Sequence, residues 1–358
     1  EEPLPFEGGP MMVHESTIPR AWVEMIHNIY RYGRENLMNA NTDRWVKEIN
    51  NMVVAVHDPQ NMDMSFNPFL VPLTKDKIEA YKKEILSAEL PKGKAYTYGN
   101  KLRAYSFPSA EEVKNLAGSR EYKDFELGRG PHLDANVRYL DGSCEINQIH
   151  DIIDVLKRDA YSKACVAITW HVQEELMRKH KSSPCLVFIQ AVVQDEKLNL
   201  TAFFRSHDMV QGWPENAYGC AAMQKEIADA IGIGTGILTI ISGSGQIYRL
   251  YYQQVREMLQ KHREMGDVFD DARGNFVVEV DAPLIIAKLV HPQTGKELER
   301  FEGETAKEVY TKIAFSVHSL QPSHASYIGA QLQTAEHCII CGIPFEQDKT
   351  YNHADFHR

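Results

Sequence analysis

Four side chains that can do covalent or acid–base chemistry follow one another in the middle of the chain: Cys185, Arg205, Asp208 and Asn216. The thiolate is the reactive form of cysteine, and a nearby guanidinium favours it over the thiol. Spacing alone leaves a second interpretation open, in which Cys185 is a buried structural thiol. The combination of a nucleophile, a cation, an acid and an amide favours a catalytic site.

Two predicted strands position these side chains. The stretch after Cys185 consists of two apolar segments around a polar turn at Asp195-Glu196-Lys197, and Arg205 follows the second segment. A hairpin places the start of its first strand beside the end of its second strand. We therefore expect Cys185 and Arg205 to meet at one end of a sheet.

The rest of the chain mixes helical and strand patterns. Apolar residues at helical spacing predict helices over residues 16–30, 75–86, 146–159, 213–231 and 247–265. Short apolar or alternating runs predict strands over residues 51–57, 165–170, 236–241 and 275–280. Residues 1–15 are rich in Pro and Gly and predict an irregular arm. Because the elements lack a regular βαβ cadence, a mixed α+β domain is favoured.

Composition narrows the class of protein. The 358 residues are 43% hydrophobic and 25% charged, as in ordinary globular proteins, and the formal net charge is −10. That charge argues against general nucleic-acid binding. The longest apolar stretch, residues 230–241, is too short and too interrupted to span a membrane. Six cysteines in a chain of this length do not form a disulfide scaffold, so we expect a cytoplasmic protein.

The order of residues around Cys185 resembles the signature of the thymidylate synthase family, a Pro-Cys nucleophile followed by Arg-Ser-x-Asp-x-x-x-Gly-x-Pro-x-Asn. Every fixed position is present: Pro184, Cys185, Arg205, Ser206, Asp208, Gly212, Pro214 and Asn216. Other segments are similar to further family motifs: Pro72-Leu73-Thr74-Lys75, Tyr98-Gly99 with Arg103, Trp170, Gln246-Ile247-Tyr248 and Val255-Arg256. The resemblance covers residues 17–315, and the archaeal-type members are the most similar in pattern.

The resemblance implies a mixed β-sheet flanked by helices and a homodimer formed through that sheet. It implies a pyrimidine nucleoside monophosphate as substrate and 5,10-methylenetetrahydrofolate, or a related reduced pterin, as cofactor. Cys185 would attack C6 of a uracil ring, and C5 would then take up the one-carbon unit. Arg205 and Ser206 would hold the phosphate, and Arg205 would also lower the pKa of the thiol. Asn216, with a donor and an acceptor, would read the O4 and N3–H edge of the base.

The remaining family roles fall on the cofactor side of the site and on proton transfer. Asp208 would contact the pterin and its water network, with Gly212 and Trp213 beside the cofactor. Tyr98 would help to remove the C5 proton through water. Glu84 is the candidate for the family's water-organising glutamate, and an exposed helix charge is an equally good interpretation of it.

Two departures from the family pattern affect the sugar and the phosphate. Lys163-Ala164 stand where the family has two adjacent arginines that reach the partner subunit's phosphate. Lysine keeps one point charge but lacks the bidentate guanidinium, and alanine has no charge. Gln246 replaces the histidine beside the sugar, whereas Tyr248 is retained. These changes leave open whether the substrate is a deoxyribonucleotide or a ribonucleotide.

The C-terminal tail contains a Cys-x2-Cys-x11-His-x3-His pattern formed by Cys338, Cys341, His353 and His357. Two thiolates and two imidazoles at this spacing suit tetrahedral, structural zinc. The alternative is an ordinary tail whose cysteines happen to be close. The segment between the two pairs lacks the basic helix of a nucleic-acid zinc finger, so no nucleic-acid partner is expected.

The sequence therefore predicts three regions: an arm and helix over residues 1–45, a thymidylate synthase-like catalytic domain over residues 46–325, and a zinc-binding extension over residues 330–358. The leading hypothesis is a methyltransferase acting on dUMP or UMP through a Cys185 adduct. One alternative is a 5-hydroxymethylase, in which water replaces the hydride. Another is a non-catalytic nucleotide-binding relative with a zinc tail.

Overall fold

The chain forms two compact units, Glu1–Asp267 and Val268–Arg358. The structure, a computed structural model, describes residues 8–40, 43–107, 111, 136–140, 142–176, 183–262, 271, 273–292, 294–317 and 320–356. The boundary between the units differs from the expected end of the catalytic domain at residue 325. The physical reason is that the strands after Asp267 pair with one another and have a hydrophobic core of their own.

A mixed eight-stranded sheet runs through the first unit. Its strands are β1 (Met11–Glu15), β2 (Arg34–Leu37), β3 (Trp45–Val56), β7 (Val166–Ile168), β8 (Leu186–Gln194), β9 (Lys197–Phe204), β10 (His207–Asp208) and β11 (Gly234–Tyr248). The order is β1-β3-β11-β9-β8-β7, with β2 paired to β3 and β10 to β11. A small second sheet contains β4 (Tyr105–Phe107), β5 (Val137–Tyr139) and β6 (Cys144–Ile146). The expected α+β class is confirmed.

Helices cover one face of the large sheet. They are α1 (Ile18–Tyr32), α2 (Lys75–Ile85), α3 (Tyr98–Arg103), α4 (Gln148–Arg158), α5 (Val172–Leu176), α6 (Gly212–Ile231) and α7 (Tyr252–His262). Helix α6 contacts β9 and β11, and α1, α2 and α4 pack around α6. Trp22 of α1 is fully buried and donates its indole N–H to the Met209 carbonyl, 2.7 Å away. The helices thereby hold the segment after β10, which carries much of the predicted site.

The hairpin that was expected to carry the site is confirmed. Strands β8 and β9 pair antiparallel, and Asp195 and Glu196 form the turn with φ of 50° and 56°. Positive φ at both residues is typical of the type I′ turn, whose twist matches that of the strands in a two-residue hairpin. At the other end of the hairpin the register shifts between Leu186 and Phe188. An extra residue in one strand bends it and redirects the adjoining side chains, and this irregularity lies directly after Cys185.

The face of the sheet opposite these helices carries an apolar row that crosses five strands. Its members are cross-strand neighbours: Ile168, Phe188, Phe203, Ile241 and Val53. All five are half-buried or exposed rather than buried. The rings of Phe188 and Phe203 stack with centroids 5.5 Å apart.

The second unit is a three-stranded antiparallel sheet packed against two helices. Its elements are β12 (Asn275–Asp281), β13 (Leu284–Val290), β14 (Glu297–Gly303), α8 (Ala306–Ser316) and α9 (Pro322–Cys341). Phe276, Leu289 and Phe301 of the sheet and Leu332 of α9 belong to one buried cluster. The strand predicted over residues 275–280 is confirmed in this sheet.

Two local predictions are wrong. Residues 11–15 of the expected irregular arm form β1, which pairs parallel with β3 from Met11↔Met52 to Glu15↔Val56. The helix predicted from residue 247 begins at Tyr252, because Ile247 and Tyr248 complete the long strand β11. Within the described ranges, we find no helix that combines the length and the hydropathy needed to cross a bilayer.

Candidate active site

Cys185 lies at the start of β8, and Arg205 follows β9 at the same end of the sheet. The Arg205 backbone N–H donates to the Cys185 carbonyl at 2.9 Å. The guanidinium donates to the carbonyls of Pro184 (Nε, 3.0 Å) and Ser183 (Nη2, 2.9 Å), and it lies 5.7 Å from the centroid of the Trp170 ring. The expected meeting of thiol and cation is therefore present. Arg205 also fixes the backbone that presents the nucleophile.

The surroundings of the Cys185 thiol act in opposite directions on its ionisation. Burial raises the pKa of the thiol, while the Arg205 guanidinium and a hydrogen bond from Tyr98 oppose part of that rise. The net pKa lies above the ordinary value of 9.0. The expectation that Arg205 lowers this pKa is right for its own contribution, but burial outweighs that contribution.

Tyr98 is the first residue of α3 and points to the thiol. Its hydroxyl hydrogen bonds to the Cys185 side chain and to the Leu186 backbone, and burial raises its pKa far above the usual range. Thr97 caps the helix by accepting from the Asn100 N–H at 2.9 Å. Gly99 lets α3 approach α2, because an added Cβ would lie 2.4 to 2.7 Å from the carbonyl oxygens of Ser87, Glu84 and Ile85. Tyr98 is thus held as a neutral hydroxyl beside the nucleophile.

Asn216 is 8% exposed on the first turns of α6, and both ends of its amide have partners. Its Oδ1 accepts from the Tyr81 hydroxyl at 2.5 Å, and its Nδ2 lies 2.9 Å from Nε2 of His207. Nδ1 of His207 lies 3.0 Å from the Ser242 hydroxyl. Gly212 is adjacent, since a Cβ there would lie 3.7 Å from Nδ2 of Asn216.

Asp208 borders a cavity of about 540 Å³. Its Oδ1 accepts from the N–H groups of Val210 (2.9 Å) and Gln211 (3.0 Å). Burial raises the pKa of this carboxyl, and the two N–H groups oppose the rise. The cavity lining contains Arg44, Trp45, Asp208, Gln211, Tyr248 and Tyr251. Burial raises the pKa of Tyr248 in this lining, and the nearby Asp208 carboxylate raises it further.

Of four further predicted residues, Tyr248 lines the cavity and Gln246 pairs with the strand that carries Asp208. Gln246 is 7% exposed, pairs in register with Asp208, and donates to the Ser244 hydroxyl at 2.7 Å. Trp213 is fully buried, and its indole nitrogen has no partner within the described structure. Ser206 is half-buried next to Arg205, and the Tyr248 hydroxyl contacts the Met38 sulfur at 3.3 Å.

Two predicted residues are not brought to the thiol. Glu84 forms an ion pair with Lys94 and is 29% exposed. Lys163 is exposed, and its carbonyl accepts a hydrogen bond from the Gln190 side chain. Gln190 lies on the part of β8 that pairs with β7, away from Cys185. Among the described residues, neither side chain has a hydrogen bond or ion pair with Cys185.

The predicted zinc ligands are only partly described. Cys338 is buried near the end of α9, Cys341 is exposed, and burial raises the pKa of Cys338. The side chain of His353 and all of His357 lie outside the described residues. Among the residues that are described, no group of three or more His, Cys, Asp or Glu side chains could hold a metal ion. The structure therefore does not support the predicted zinc site.

The sequence patterns did not indicate three residues of the site, Tyr81, His207 and Arg44. Ile78, Tyr81 and Ile85 of α2 stand at positions i, i+3 and i+7, and both isoleucines are buried. This spacing could have placed Tyr81, rather than Glu84, on the inner face of the helix. His207 occupies a variable position of the motif and carried no signal. Arg44 is exposed at the cavity and lowers the pKa of Tyr248, against the larger effect of burial.

Comparison with known proteins decides the family. The model described as "Thymidylate synthase" matches residues 90–268, which is half of the chain. The chain belongs to the thymidylate synthase family. This is a family of transferases that bind a nucleoside monophosphate and a folate cofactor. A second model, described as "PterinBD-DUF4346", matches residues 270–348 of the second unit.

Archaeal relatives cover most of the chain at modest identity. A protein from Methanosarcina mazei named "Putative thymidylate synthase" is 24% identical over 255 residues, or 71% of this chain and 97% of that protein. A protein of the same name from Methanocaldococcus jannaschii is 25% identical over 241 residues, or 66% of this chain and 90% of that protein.

The raised pKa of Cys185 can be measured by alkylation. Because iodoacetamide reacts with the thiolate, we expect the rate of Cys185 modification to keep rising as the pH passes 9.0. Replacing Arg205 with Met should move the midpoint to higher pH, whereas Arg205→Lys retains the charge and should move it less. Peptide mass spectrometry gives the rates, with exposed Cys341 as an internal reference. A plateau below pH 8 would contradict the expected direction.

Proposed function

We propose that the protein transfers a one-carbon unit to C5 of a uridine monophosphate, dUMP or UMP, and delivers a methyl group. The observation that carries this proposal is the convergence on Cys185 of the Tyr98 hydroxyl and the Arg205 guanidinium, and the buried, paired amide of Asn216 supports it. A nucleophile, a hydroxyl for proton transfer and a base-reading amide are what addition to C6 and substitution at C5 require.

The residues of the chain divide the reaction between them. The Cys185 thiolate forms a bond to C6 of uracil, and the electron pair moves toward O4, so that C5 becomes nucleophilic. Asn216 donates from Nδ2 to O4, where negative charge develops, and accepts the N3–H at Oδ1. After C5 has gained its new substituent, Tyr98 passes the C5 proton to water. Breaking the C6–S bond then returns the thiolate.

The phosphate would be held by cations at the exposed edge of the site. Arg205 is exposed, and Nε and Nη2 are used on backbone carbonyls, so the rest of its guanidinium can face the phosphate. Arg44 adds a second guanidinium at the cavity and is the residue that compensates for the loss of charge at Lys163-Ala164. Gln246 and Tyr248 would contact the sugar from β11.

The cavity beside Asp208 fits a reduced pterin. Its volume of about 540 Å³ and its aromatic residues Trp45 and Tyr251 suit a flat ring, and the Asp208 carboxylate can accept from ring N–H groups. Gly212 and Trp213 begin the helix next to this cavity. 5,10-Methylenetetrahydrofolate, when bound, supplies the one-carbon unit and the hydride that completes a methyl group.

Two alternatives predict different products. In a 5-hydroxymethylase, water would replace the hydride at the same carbon, and the same residues would serve. In a non-catalytic nucleotide-binding relative with a zinc tail, the pocket would bind without chemistry. The convergence of Tyr98 and Arg205 on Cys185 favours catalysis over binding alone.

The product identifies the reaction. The protein is incubated with methylenetetrahydrofolate and dUMP, UMP, dCMP or CMP, each labelled with tritium at C5, and products are identified by mass. We expect tritium release and a gained methyl group with a uridine nucleotide, because C5 exchanges its hydrogen for carbon. A hydroxymethyl product would support the 5-hydroxymethylase. No release from any nucleotide would contradict catalysis.

The covalent step depends on one sulfur. We expect Cys185→Ser to lower turnover at least about a thousandfold, because the hydroxyl is a far weaker nucleophile, while nucleotide binding remains. The buried Cys220→Ser variant controls for the effect of a thiol-to-hydroxyl change away from the site. Tritium release and nucleotide titration measure the two properties. Full activity in Cys185→Ser would contradict the mechanism.

We further propose a homodimer formed through the open face of the large sheet. The apolar row from Ile168 to Val53 supports this, since a contiguous apolar strip across five strands is a surface that another chain can cover. We also propose that the protein is cytoplasmic and serves nucleotide biosynthesis.

A charge in the apolar row tests the dimer. We expect Phe203→Glu to shift the protein from dimer to monomer, because a carboxylate would be buried without a partner in the interface. Phe315→Glu is the control, since Phe315 is 78% exposed in the second unit. Sedimentation gives the mass of each variant. A monomeric wild type, or a Phe203→Glu dimer as stable as the wild type, would contradict the proposed interface.

A further inference from the structure

Four polar side chains from four different elements form one buried chain of hydrogen bonds. Tyr81 of α2 contacts Asn216 of α6, Asn216 contacts His207 of β10, and His207 contacts Ser242 of β11. His207, Asn216 and Ser242 are 2%, 8% and 0% exposed. A buried network of this kind rigidifies the groups that it connects when all of them are satisfied.

With the Asn216 amide oriented as in the structure, the donors and acceptors of this chain follow one order. The Asn216 amide nitrogen can only donate, so Nε2 of His207 accepts from it. Burial lowers the pKa of His207 to about 3, so the ring is neutral and carries its single proton on Nδ1, which donates to the Ser242 hydroxyl. The Tyr81 hydroxyl donates to Oδ1 of Asn216.

This order determines what Asn216 offers to a ligand. One lone pair of Oδ1 and one N–H of Nδ2 remain, on fixed sides of the amide. Uracil has a donor at N3 and an acceptor at O4, which complement that arrangement. Cytosine has an acceptor at N3 and a donor at N4, so in the same pose it would meet a like group at both contacts. A reversed amide would complement cytosine instead.

We propose that Tyr81 and His207 are specificity-determining residues that hold the Asn216 amide in the orientation that accepts uracil and rejects cytosine. This inference rests on the proposed function, in which Asn216 reads the base. Tyr81 and His207 act through Asn216 and are positioning residues.

Packing holds the rings of the two partners in place, so neither can turn away from a reversed amide. The Tyr81 ring lies against Gly219 of α6, where an added Cβ would come within 2.6 Å of Cε1. The His207 ring stacks on Phe204, with centroids 4.1 Å apart and an angle of 15° between the planes. Reversal would therefore require His207 to move its proton to Nε2, Ser242 to donate to Nδ1 and Tyr81 to accept, all together.

Base preference after removal of single hydrogen bonds tests this proposal. The readout is the ratio of kcat/KM for tritium release from the uridine and cytidine nucleotides with the same sugar, together with the ratio of their Kd values without cofactor. We expect Tyr81→Phe and His207→Leu each to lower the preference for uracil at least about tenfold, because the amide becomes free to reverse. Ser242→Ala removes the partner of Nδ1, so that either ring nitrogen of His207 can carry the proton. This change is milder, and it should lower the ratio less.

A matched control separates orientation from packing. Tyr218→Phe removes another phenol hydroxyl in the same region of the helix, which contacts the Met64 sulfur at 3.7 Å, and it should leave the ratio unchanged. If the variants weaken uridine and cytidine nucleotides equally, Tyr81 and His207 are structural and the inference is wrong. A wild type that shows neither turnover nor nucleotide binding would overturn the proposed function, and the inference with it.

Discussion

The site depends on how the β8–β9 ladder ends. The bond from the Arg205 N–H to the Cys185 carbonyl closes that ladder, and the shift in register after Leu186 redirects the strand at the nucleophile. Thr169 is fully buried and bonds to the carbonyls of Leu186 and Val187, so the irregular backbone has partners inside the core. A buried carbonyl without a partner would cost about 1–3 kcal/mol. The geometry of the nucleophile is thus built into the core of the sheet.

The same burial that fixes Cys185 also disfavours its charged form. Tyr98 and Arg205 offset part of this cost, and both are held by backbone contacts that do not depend on a ligand. The resting Cys185 is therefore mainly the neutral thiol at neutral pH. A neutral resting thiol also protects the residue from oxidation, since susceptibility follows thiolate character.

The hairpin and the motif residues were predictable because their signals are local. Alternating apolar segments around Asp195-Glu196 define the pairing, and the pairing alone brings Cys185 to Arg205. Tyr81 was harder to find, because its role depends on which face of α2 packs on α6. The spacing of Ile78, Tyr81 and Ile85 indicates that face, and Glu84 lies off it. The partnership of His207 with Asn216 and Ser242 joins three elements, and no spacing in the chain reveals it.

The residues proposed to read the base and those proposed to hold the phosphate differ in burial. The Asn216 chain lies inside the core and draws on α2, α6, β10 and β11, so a change in any member disturbs the packing of two elements. The cations proposed to hold the phosphate, Arg44 and Arg205, are exposed, as is Lys163. Exposed charges can be exchanged at little cost in stability, whereas buried polar groups cannot. The departures from the family pattern at Lys163-Ala164 are therefore compatible with an unchanged choice of base.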